Sequence, residues 1–261
     1  MKIAVASGKG GTGKATIATN LAWIAARNGR SVAYIDCDVE EPNGHLFLKP
    51  HMTVMRAIGQ LHPVVDDEKC AHCGLCGEIC QYSAIVCIGD KVLVYPELCH
   101  ACGGCTLVCP SGAITEVLRE SGKLEAGMAG PIHFVHGVLN IGEAMSTPLI
   151  RQVKAEPIGE ELRIIDCPPG TSCPVIESVR GADIVLLVTE PTPFGLNDLM
   201  LAVEMVRAMK LSFAVVLNRA DVGDRKVQEY CRREGIEILA EIPDDRRVAE
   251  AYSTGMLACE A

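Results

Sequence analysis

A nine-residue segment near the start of the chain, GKGGTGKAT, has residue types and a spacing that can bind phosphate. Gly8, Gly13 and Lys14 satisfy the pattern G-x-x-x-x-G-K. Glycines let the backbone N–H groups of such a loop point at phosphate oxygens, and the lysine reaches the β- and γ-phosphates. The pattern predicts a nucleotide site formed by the whole loop: Gly8, Lys9, Gly10, Gly11, Thr12, Gly13, Lys14, Ala15 and Thr16.

Ala15 departs from this pattern, because Ser or Thr normally follows the lysine and its hydroxyl binds Mg²⁺. Magnesium requires nearly octahedral oxygen ligation but readily keeps water ligands, so a water could fill the missing position. Thr16 cannot easily replace that ligand, since the next residue of a helix projects about 100° away; contact with the α-phosphate suits it better. We expect that nucleotide still binds and that its hydrolysis is weakened or lost.

Eight of the fourteen cysteines form two groups with one internal spacing. The frame C-x2-C-x2-C-x3-C occurs twice, offset by 29 residues, and Pro110 follows the second group. This is the bacterial ferredoxin spacing, in which three thiolates hold one [4Fe-4S] cluster and the fourth holds the other. We therefore expect one cluster on Cys70, Cys73, Cys76 and Cys109, and the other on Cys99, Cys102, Cys105 and Cys80.

Other roles for the cysteines remain open at this stage. Paired C-x2-C motifs also build zinc sites, although two complete four-cysteine runs favour iron–sulfur clusters. Such clusters transfer electrons or sense redox state, but they can also stabilise a segment that has little core of its own. Ordinary buried cysteines are expected elsewhere, with Cys173 as a possible extra metal ligand; the scattered residues are Cys37, Cys87, Cys167, Cys173, Cys231 and Cys259.

The composition narrows the class of protein. The net charge of −9 disfavours a general nucleic-acid surface, which needs an excess of Lys and Arg. No run of eighteen apolar residues could cross a membrane, and MKIAVASGKG has no cleavable signal architecture. Because apolar residues make up 49% of the chain and aromatic residues only 4%, we expect an aliphatic core. These features predict a cytoplasmic protein with no membrane or nucleic-acid partner.

Alternating apolar runs and helical patterns indicate how these residues are positioned. Six apolar runs each end in polar or Gly/Pro residues: KIAVAS, SVAYIDCD, LRIIDCPPG, ADIVLLVTEPT, FAVVLNRAD and IEILAEIPDD. Helical stretches separate most of them, which predicts an α/β fold with a doubly wound, mostly parallel sheet. Ligands of such sheets bind beyond the carboxyl ends of the strands.

The cysteine runs interrupt this alternation. Between them, IVCIGDKVLVY has the pattern of a β-hairpin with a Gly-Asp turn. We therefore predict an inserted α+β module of the bacterial ferredoxin type over residues 62–117. The remaining residues, 1–61 and 118–261, would form the larger domain.

Two aspartates at predicted strand ends could complete a nucleotide site. Asp166 follows the apolar run LRII, where a phosphate-binding loop needs a carboxylate for magnesium. Asp38 ends the run after the first helix and could orient an attacking water, although a simple turn residue would also fit. His133 and His136 were considered as a metal pair on one face of a strand. Ordinary strand histidines fit them better, because no third ligand lies at metal spacing.

Lys9 and Lys14 bracket the loop, and KGGTGK resembles the deviant Walker A loop of the MinD/ParA/Mrp/nitrogenase iron-protein family of ATPases. The resemblance implies a P-loop NTPase fold of the SIMIBI type and an ATP-sandwich dimer, in which Lys9 reaches the nucleotide of the partner subunit. That partner could be a second copy or a paralogous ATPase. The ferredoxin-type runs resemble the branch of this superfamily with an inserted ferredoxin domain.

The resemblance extends over essentially the whole chain and implies further site residues. Asp38 in IDCDVEEPN matches the switch I aspartate that orients the attacking water. Asp166 and Gly170 in IIDCPPG match the Walker B aspartate and the switch II glycine. The resemblance thus implies that Asp38 and Asp166 both lie at the magnesium. The residues expected around the base are Asn218, Pro243 and Asp244.

These observations lead to two main hypotheses. In the first, the chain is an ATPase with two [4Fe-4S] clusters, ATP or ADP and Mg²⁺, and nucleotide state controls electron transfer or metal-cofactor assembly on a redox or cofactor-carrying partner. In the second, it is a nucleotide-gated binding or scaffold protein without significant turnover, which Ala15 favours. A MinD- or ParA-like positioning role is disfavoured by the acidic charge, and an amidotransferase role by the lack of a glutaminase half.

Overall fold

In a computed structural model that describes residues 1–261, the chain divides into two compact units. Unit 1 comprises residues 1–55, 124–138 and 150–261, and unit 2 comprises residues 56–123 and 139–149. No helix in the chain has both the length and the apolar character that crossing a membrane requires.

The main sheet has nine strands in the order β11-β10-β9-β1-β8-β2-β7-β6-β3. All neighbouring strands from β11 to β7 pair in parallel, as the alternating pattern of strands and helices predicts. The strands are β1 (Lys2–Ala6), β2 (Val32–Asp36), β3 (His51–Val65), β6 (Ile114–Ala129), β7 (Ile132–Leu139), β8 (Leu162–Asp166), β9 (Ile184–Thr189), β10 (Phe213–Asn218) and β11 (Ile238–Ile242).

In unit 1, helices form where the sequence has a strong helical pattern of apolar residues. The first ends at Arg27, after which Asn28 caps it and Gly29 adopts a left-handed φ of 78°. Three shorter helices, α2, α6 and α9, are not indicated by the sequence pattern. The helices outside the cysteine region are α1 (Lys14–Arg27), α2 (Gly44–Leu48), α5 (Thr147–Ala155), α6 (Cys173–Val179), α7 (Pro193–Ala208), α8 (Lys226–Glu234) and α9 (Arg246–Ser253).

Unit 2 contains the cysteine runs on two short helices and a hairpin. Helix α3 (Leu75–Ile79) lies in the first run, and helix α4 (Gly104–Val108) lies in the second. Between them, β4 (Ile85–Ile88) and β5 (Lys91–Val94) pair in antiparallel fashion, which confirms the predicted hairpin. A small apolar cluster of Cys76, Ile85 and Ile114 forms the interior here.

Two long strands were not predicted. Strands β3 and β6 have 15 and 16 residues and contribute to both units. Their sequences lack the continuous apolar run of a buried parallel strand, so the pattern did not reveal them. The expected boundaries of the insertion, at residues 61–62 and 117–118, fall inside these two strands.

Strand β2 shows why the central sheet positions the site. All five of its residues are buried, because strands on both sides and helices on its faces exclude water. It pairs with β8 so that Asp36 lies opposite Asp166, and β8 pairs with β1 so that Asp166 lies opposite Val5. The carboxyl ends of β1, β2 and β8 therefore meet at one edge, beside the loop that follows β1.

Candidate functional site

The predicted phosphate loop connects β1 to α1 and is held by close contacts at two glycines. A side-chain carbon at Gly8 would overlap the backbone of Asp198 in α7, so only glycine fits there. Gly13 has a φ of 89°, and a side chain on it would overlap the amide of Asn218. That amide donates a hydrogen bond of 2.9 Å to the Thr12 carbonyl. The structure thus brings Asn218 to the phosphate loop, whereas the resemblance implies a contact with the base.

The loop residues provide two observations that fit a phosphate ligand. Gly10 and Gly11 form an exposed tip, so an incoming ligand can approach their backbone. The Thr12 side chain is 3% exposed, yet its hydroxyl has no hydrogen-bond partner within the protein. A buried hydroxyl without a partner is costly, and a phosphate oxygen would satisfy it.

Lys14 joins the two predicted aspartates in one buried cluster. Its Nζ lies 2.7 Å from Asp166 Oδ1 and 3.9 Å from Asp38 Oδ2. Burial alone would lower the pKa of Lys14, but the charge and hydrogen bond of Asp166, with the charges of Asp38 and Asp36, raise it above its ordinary value. Lys14 therefore stays charged, and its contact with Asp166 balances a carboxylate that is fully buried.

Tyr34 also contacts this cluster, although sequence analysis did not select it. Its hydroxyl donates a 2.8 Å hydrogen bond to Asp166 Oδ2, the oxygen that Lys14 does not bind. Tyr34 is completely buried, and burial followed by the charge of Asp166 raises its pKa. Asp166 is thus held from both sides by Lys14 and Tyr34. A hydroxyl within an otherwise aliphatic strand was the available sequence signal.

Asp36 is a further buried carboxylate that the sequence analysis did not assign to the site. Its oxygens accept hydrogen bonds from the backbone N–H groups of Gly44 (3.0 Å) and Asp38 (3.1 Å). Burial and the charge of Asp166 raise its pKa to about 8 despite these bonds. Burial likewise raises the pKa of Asp38 to about 6, although the charge of Lys14 opposes the shift.

These carboxylates fit a magnesium ion that a nucleotide brings with it. No three His, Cys, Asp or Glu side chains of the chain converge as a self-sufficient metal site. Magnesium, however, usually binds through one or two carboxylates together with phosphate oxygens and waters. Asp166 and Asp38 can supply the carboxylates. Ala15, at the start of α1, supplies no oxygen from its side chain.

Lys9 and the residues expected around the base meet in a second group of charges. Lys9 Nζ lies 2.7 Å from Glu190 Oε1, and Arg219 lies 3.6 Å from the other Glu190 oxygen. Arg219 also lies 3.5 Å from Asp244, next to Pro243 at the end of β11. The free chain therefore holds Lys9 against its own Glu190, a partner that sequence analysis did not identify.

Two remaining predicted positions can be placed in or beside the site. Gly170 lies in the loop after β8 and has a φ of 98°, which explains the need for glycine. Its N–H donates to the carbonyl of Ser7, just before the phosphate loop. Thr16 lies in the first turn of α1, where its carbonyl accepts bonds from Thr19 and Asn20.

The cysteines of unit 2 divide into two sets that cross between the runs. One cavity is lined by four of the predicted cluster ligands and by a fifth thiol: Cys70, Cys73, Cys76, Cys109 and Cys87. Cys109 thus lies with the first run. In the other set, burial raises the pKa of Cys99, and the nearby charges of Cys102 and Cys80 act in the same direction. Cys80 thus lies with the second run.

The absence of a compact metal site does not conflict with this division. In a [4Fe-4S] cluster each cysteine binds a different iron, so the four sulfurs surround the cluster and do not converge on one point. Left-handed backbone at Gly74 and Gly103 starts the two helices that carry the middle cysteines. The donor set, four thiols around one cavity, fits such a cluster chemically.

The histidine pair considered from the sequence does not exist. Residues three apart on a strand point to opposite faces, so His133 and His136 cannot share a metal. His133 Nδ1 lies 3.1 Å from Glu160, whereas His136 Nε2 lies 2.7 Å from Glu125. The expectation that both lie on one face was therefore wrong. Cys173 is exposed at the start of α6.

The sheet, the phosphate loop and the lysine–aspartate cluster define a P-loop nucleotide-binding protein. The family model described as the CobQ/CobB/MinD/ParA nucleotide binding domain matches residues 3–258. An uncharacterized protein of Methanocaldococcus jannaschii is 34% identical over 265 residues, which cover 100% of this chain and 91% of that relative. The chain belongs to the CobQ/CobB/MinD/ParA nucleotide-binding family, which confirms the resemblance of its loop at the level of the family.

Two other comparisons extend this result. An iron-sulfur cluster carrier protein of Pyrococcus horikoshii is 25% identical over 98% of this chain and 78% of its own length. The septum site-determining protein MinD of the same organism, solved with Mg-ADP, superposes with a TM-score of 0.59 at 20% identity. That superposition covers 99% of this chain and 87% of the solved chain, and it establishes the fold alone.

Asp36 makes the stability of the nucleotide-free protein depend on pH. Its folded-state pKa of about 8 lies above the unfolded value of about 3.9, so the folded state retains the proton longer. Its contribution to stability is complete below about pH 4 and is lost as the pH rises through about 8. Relative to that of an Asp36→Asn variant, the wild-type free energy of unfolding should therefore decrease as the pH rises from about 4 to about 8. We expect this decrease to be at least about 1 kcal/mol, because a pKa difference of one unit corresponds to 1.36 kcal/mol.

Urea unfolding of the two proteins at several pH values measures this difference. Asp90→Asn is the matched control, because Asp90 is exposed in the β4–β5 connection and should show no such divergence. Parallel pH profiles for the wild type and Asp36→Asn would contradict the prediction.

Proposed function

We propose that the chain is an ATP-dependent iron–sulfur protein, in which nucleotide state and dimerisation control electron transfer or metal-cofactor assembly on a partner protein. The observation that carries the proposal is the presence in one chain of two sites. A phosphate loop holds Lys14 against Asp166 and Asp38, and Cys109 lies with the cysteines of the first run while Cys80 lies near Cys99 of the second.

The proposed nucleotide chemistry assigns roles to the residues of the loop edge. Lys14 would neutralise β- and γ-phosphate oxygens, Asp166 would hold the magnesium and its waters, and Asp38 would orient the attacking water. In the free chain Lys14 binds both aspartates. When phosphate attracts Lys14, the two carboxylates lose their counter-charge, and a divalent cation can replace it. Nucleotide and magnesium would therefore bind together.

The proposed base site lies between the loop and the ends of β10 and β11. Asn218 already contacts the loop through Thr12 and would also contact adenine. Pro243 and Asp244 would close over the base. The ion pair between Arg219 and Asp244 connects this segment to Glu190, so the base segment and Lys9 share a network of charges.

Two [4Fe-4S] clusters are proposed for residues 62–117, and the nucleotide domain for residues 1–61 and 118–261. The two complete runs with the spacing C-x2-C-x2-C-x3-C favour clusters over zinc, because this is the spacing of bacterial ferredoxins. The name of the Pyrococcus horikoshii relative, an iron-sulfur cluster carrier, favours cluster handling as the biological role. Bound clusters would supply one-electron chemistry, and the protein would supply the thiolates and their surroundings.

A dimer is proposed because Lys9 has a releasable contact. Its partner Glu190 also interacts with Arg219, so Glu190 retains a cation when Lys9 leaves. Lys9 could then reach a nucleotide bound to a second subunit, either another copy of the chain or a paralogous ATPase. Lys9 lies in an exposed loop, and its side chain is partly accessible to solvent.

Slow hydrolysis is part of the proposal, because Ala15 removes one oxygen ligand from the magnesium. A nucleotide-gated scaffold without significant turnover is the second candidate, and Ala15 is the observation that favours it. Intact Lys14, Asp38 and Asp166 favour the ATPase. The two functions differ in turnover and share nucleotide binding.

Restoring the missing hydroxyl should raise ATP turnover. In an Ala15→Thr variant the hydroxyl can bind magnesium directly, and we expect turnover to rise about tenfold or more, because 1.36 kcal/mol of transition-state stabilisation is tenfold. Phosphate release under steady-state conditions measures it. The double variant Lys14→Ala/Ala15→Thr is the control for contaminating activity. Equal turnover with alanine and threonine would contradict weakened hydrolysis.

The cysteine sets predict the metal content. After anaerobic reconstitution we expect about eight iron and eight sulfide per chain, from two [4Fe-4S] clusters. Cys73→Ser should reduce both contents by up to half and leave the second cluster intact. Cys173→Ser, a change of an exposed cysteine outside the runs, should leave them unchanged. Stoichiometric zinc in place of iron would contradict the proposal.

Lys9 should be needed for the dimer and dispensable for the nucleotide. For Lys9→Ala we expect nucleotide affinity within about threefold of wild type, because Lys14 and the loop backbone remain. ATP-dependent dimerisation should be lost, as measured by analytical ultracentrifugation with a non-hydrolysable ATP analogue. Lys226→Ala, a change of an exposed lysine in α8, should retain it. An ATP-dependent dimer of Lys9→Ala would contradict the role of Lys9.

A further inference from the structure

The two cysteine runs form an internal repeat whose halves can be compared position by position. Helices α3 and α4 are related by the same offset of 29 residues as the cysteines. Left-handed backbone recurs at equivalent positions, and so does a pair of buried residues. The equivalent residues are His72 and Ala101, Gly74 and Gly103, Ala84 and Ala113, and Ile85 and Ile114. A residue that breaks this equivalence marks a real difference between the two predicted cluster sites.

The site formed around the first run has two side-chain donors beside its sulfurs. Cys87 Sγ lies 3.5 Å from Cys76 Sγ, and Ser111 Oγ lies 3.7 Å from Cys109 Sγ. If Cys76 and Cys109 are cluster ligands they are thiolates, so Cys87 and Ser111 must be the donors. Cys87 lines the same cavity as the four predicted ligands.

The local packing makes room for the Cys87 thiol. A side-chain carbon at Gly77 would lie 3.5 Å from Cys87 Sγ and 3.3 Å from its backbone nitrogen. The equivalent residue of the second run is Thr106, so this glycine is a feature of the first half only. Cys87 therefore contacts the first site, although it belongs to neither cysteine run.

The second site has a carboxylate at the position that matches Cys87. An offset of 29 residues leads from Cys87 to Glu116, which has no proton to donate when ionised. Glu116 Oε1 lies 3.6 Å from the position that a side-chain carbon at Gly103 would occupy, at the start of α4. Glu116 also acts on Cys99 together with Cys102 and Cys80, which places its charge beside the second set.

The position equivalent to Ser111 differs as well. It is occupied by Tyr82, whose ring stacks on His100 with centroids 3.4 Å apart. Ser111 donates beside Cys109, but the equivalent position beside Cys80 therefore has no serine hydroxyl. Both differences act in the same direction, since two side-chain donors lie beside sulfurs of the first site and a carboxylate lies near the second; the hydroxyl of Thr106, next to Cys105, is the one side-chain donor that opposes them at the second site.

Hydrogen bonds to the sulfurs and the net charge nearby are two of the factors that set cluster potentials. Reduction adds negative charge, which donors stabilise and a carboxylate opposes. We propose that Cys87 and Ser111 raise the reduction potential of the site on the first run, that Glu116 lowers that of the site on the second run, and that the first site is therefore reduced first. The inference rests on the proposed function, in which both sites hold [4Fe-4S] clusters.

The two causes should respond differently to salt. Glu116 is exposed, so dissolved ions screen its charge. The contacts of Cys87 and Ser111 are short-range hydrogen bonds, and ionic strength affects them little. The lower potential should therefore rise with added salt, while the upper potential should move less.

An EPR-monitored redox titration of the full, reconstituted chain at low ionic strength tests the inference, with iron and sulfide assayed on the same samples. We expect two separate one-electron waves. Cys87→Ala should lower only the upper wave, and Cys87→Ser, which retains a donor, should partly restore it. Glu116→Gln should raise only the lower wave. Each shift should correspond to about a tenfold change in the reduction equilibrium, or 59 mV for one electron.

Glu120→Gln is the matched control, because it makes the same charge change on the same strand four residues away, about 13 Å along it. Two intact clusters with one shared potential, or a Glu116→Gln shift no larger than that of Glu120→Gln, would overturn the inference alone. Loss of the first cluster in Cys87→Ala would make Cys87 a ligand and overturn its role as a donor. Iron and sulfide contents near zero in the wild type would overturn the proposed function as well.

Discussion

The burial of Asp166 is the constraint on which the nucleotide site depends. A carboxyl group with no exposed surface, next to the equally buried Asp36, needs cations and hydrogen-bond donors around it to offset its desolvation. Lys14 and Tyr34 provide these contacts in the free chain. The loop, the first helix and three strands must all be in place to form them. The same residues that stabilise the fold are therefore those that a nucleotide and its magnesium would rearrange.

This arrangement explains why the phosphate loop and the strand ends form one unit. Asn218 contacts the loop at Thr12, and Gly8 permits close approach of α7. A second network joins Lys9, Glu190 and Arg219 at the surface. The inner network has little access to water, whereas the outer network is partly exposed and weaker. Contacts at the outer network can therefore change at low cost, which suits a surface that meets another subunit.

Unit 2 depends on a different constraint, a repeated backbone with unequal side chains. The repeat places two helices and two sets of thiols in equivalent surroundings, with little apolar core between them. Its fold alone would make the two sites alike. Cys87 and Glu116 break the repeat at equivalent positions, since Cys87 Sγ lies 3.5 Å from Cys76 Sγ and Glu116 is a carboxylate near the start of α4. If both sites hold clusters, as proposed, these asymmetric substitutions on a repeated backbone would give them distinct chemistry.

Sequence patterns alone predicted the α/β class of fold, the phosphate loop and the two runs of cysteines, whereas the crossed assignment of those cysteines to two clusters stays a prediction. Those features follow from local spacing: glycines that free a loop, apolar runs of strand length, and thiols three or four residues apart. Asp38 and Asp166 were selected because each ends an apolar run, and Asn218 because of the family resemblance; contacts within the protein place all three beside the loop or Lys14. The long strands β3 and β6 escaped prediction, since they have no continuous apolar pattern.

Which of these residues are in contact depends on packing between segments that are distant along the chain. Tyr34, Asp36 and Glu190 join the site through strand register and loop packing, over separations that no local pattern records. The structure also separated His133 from His136, because strand geometry sends side chains three apart to opposite faces. Cys87, which belongs to neither run of the sequence, lies beside Cys76 because the hairpin packs against the first run. Spacing along the chain sets which chemistry is available, and packing between distant segments sets which groups share it.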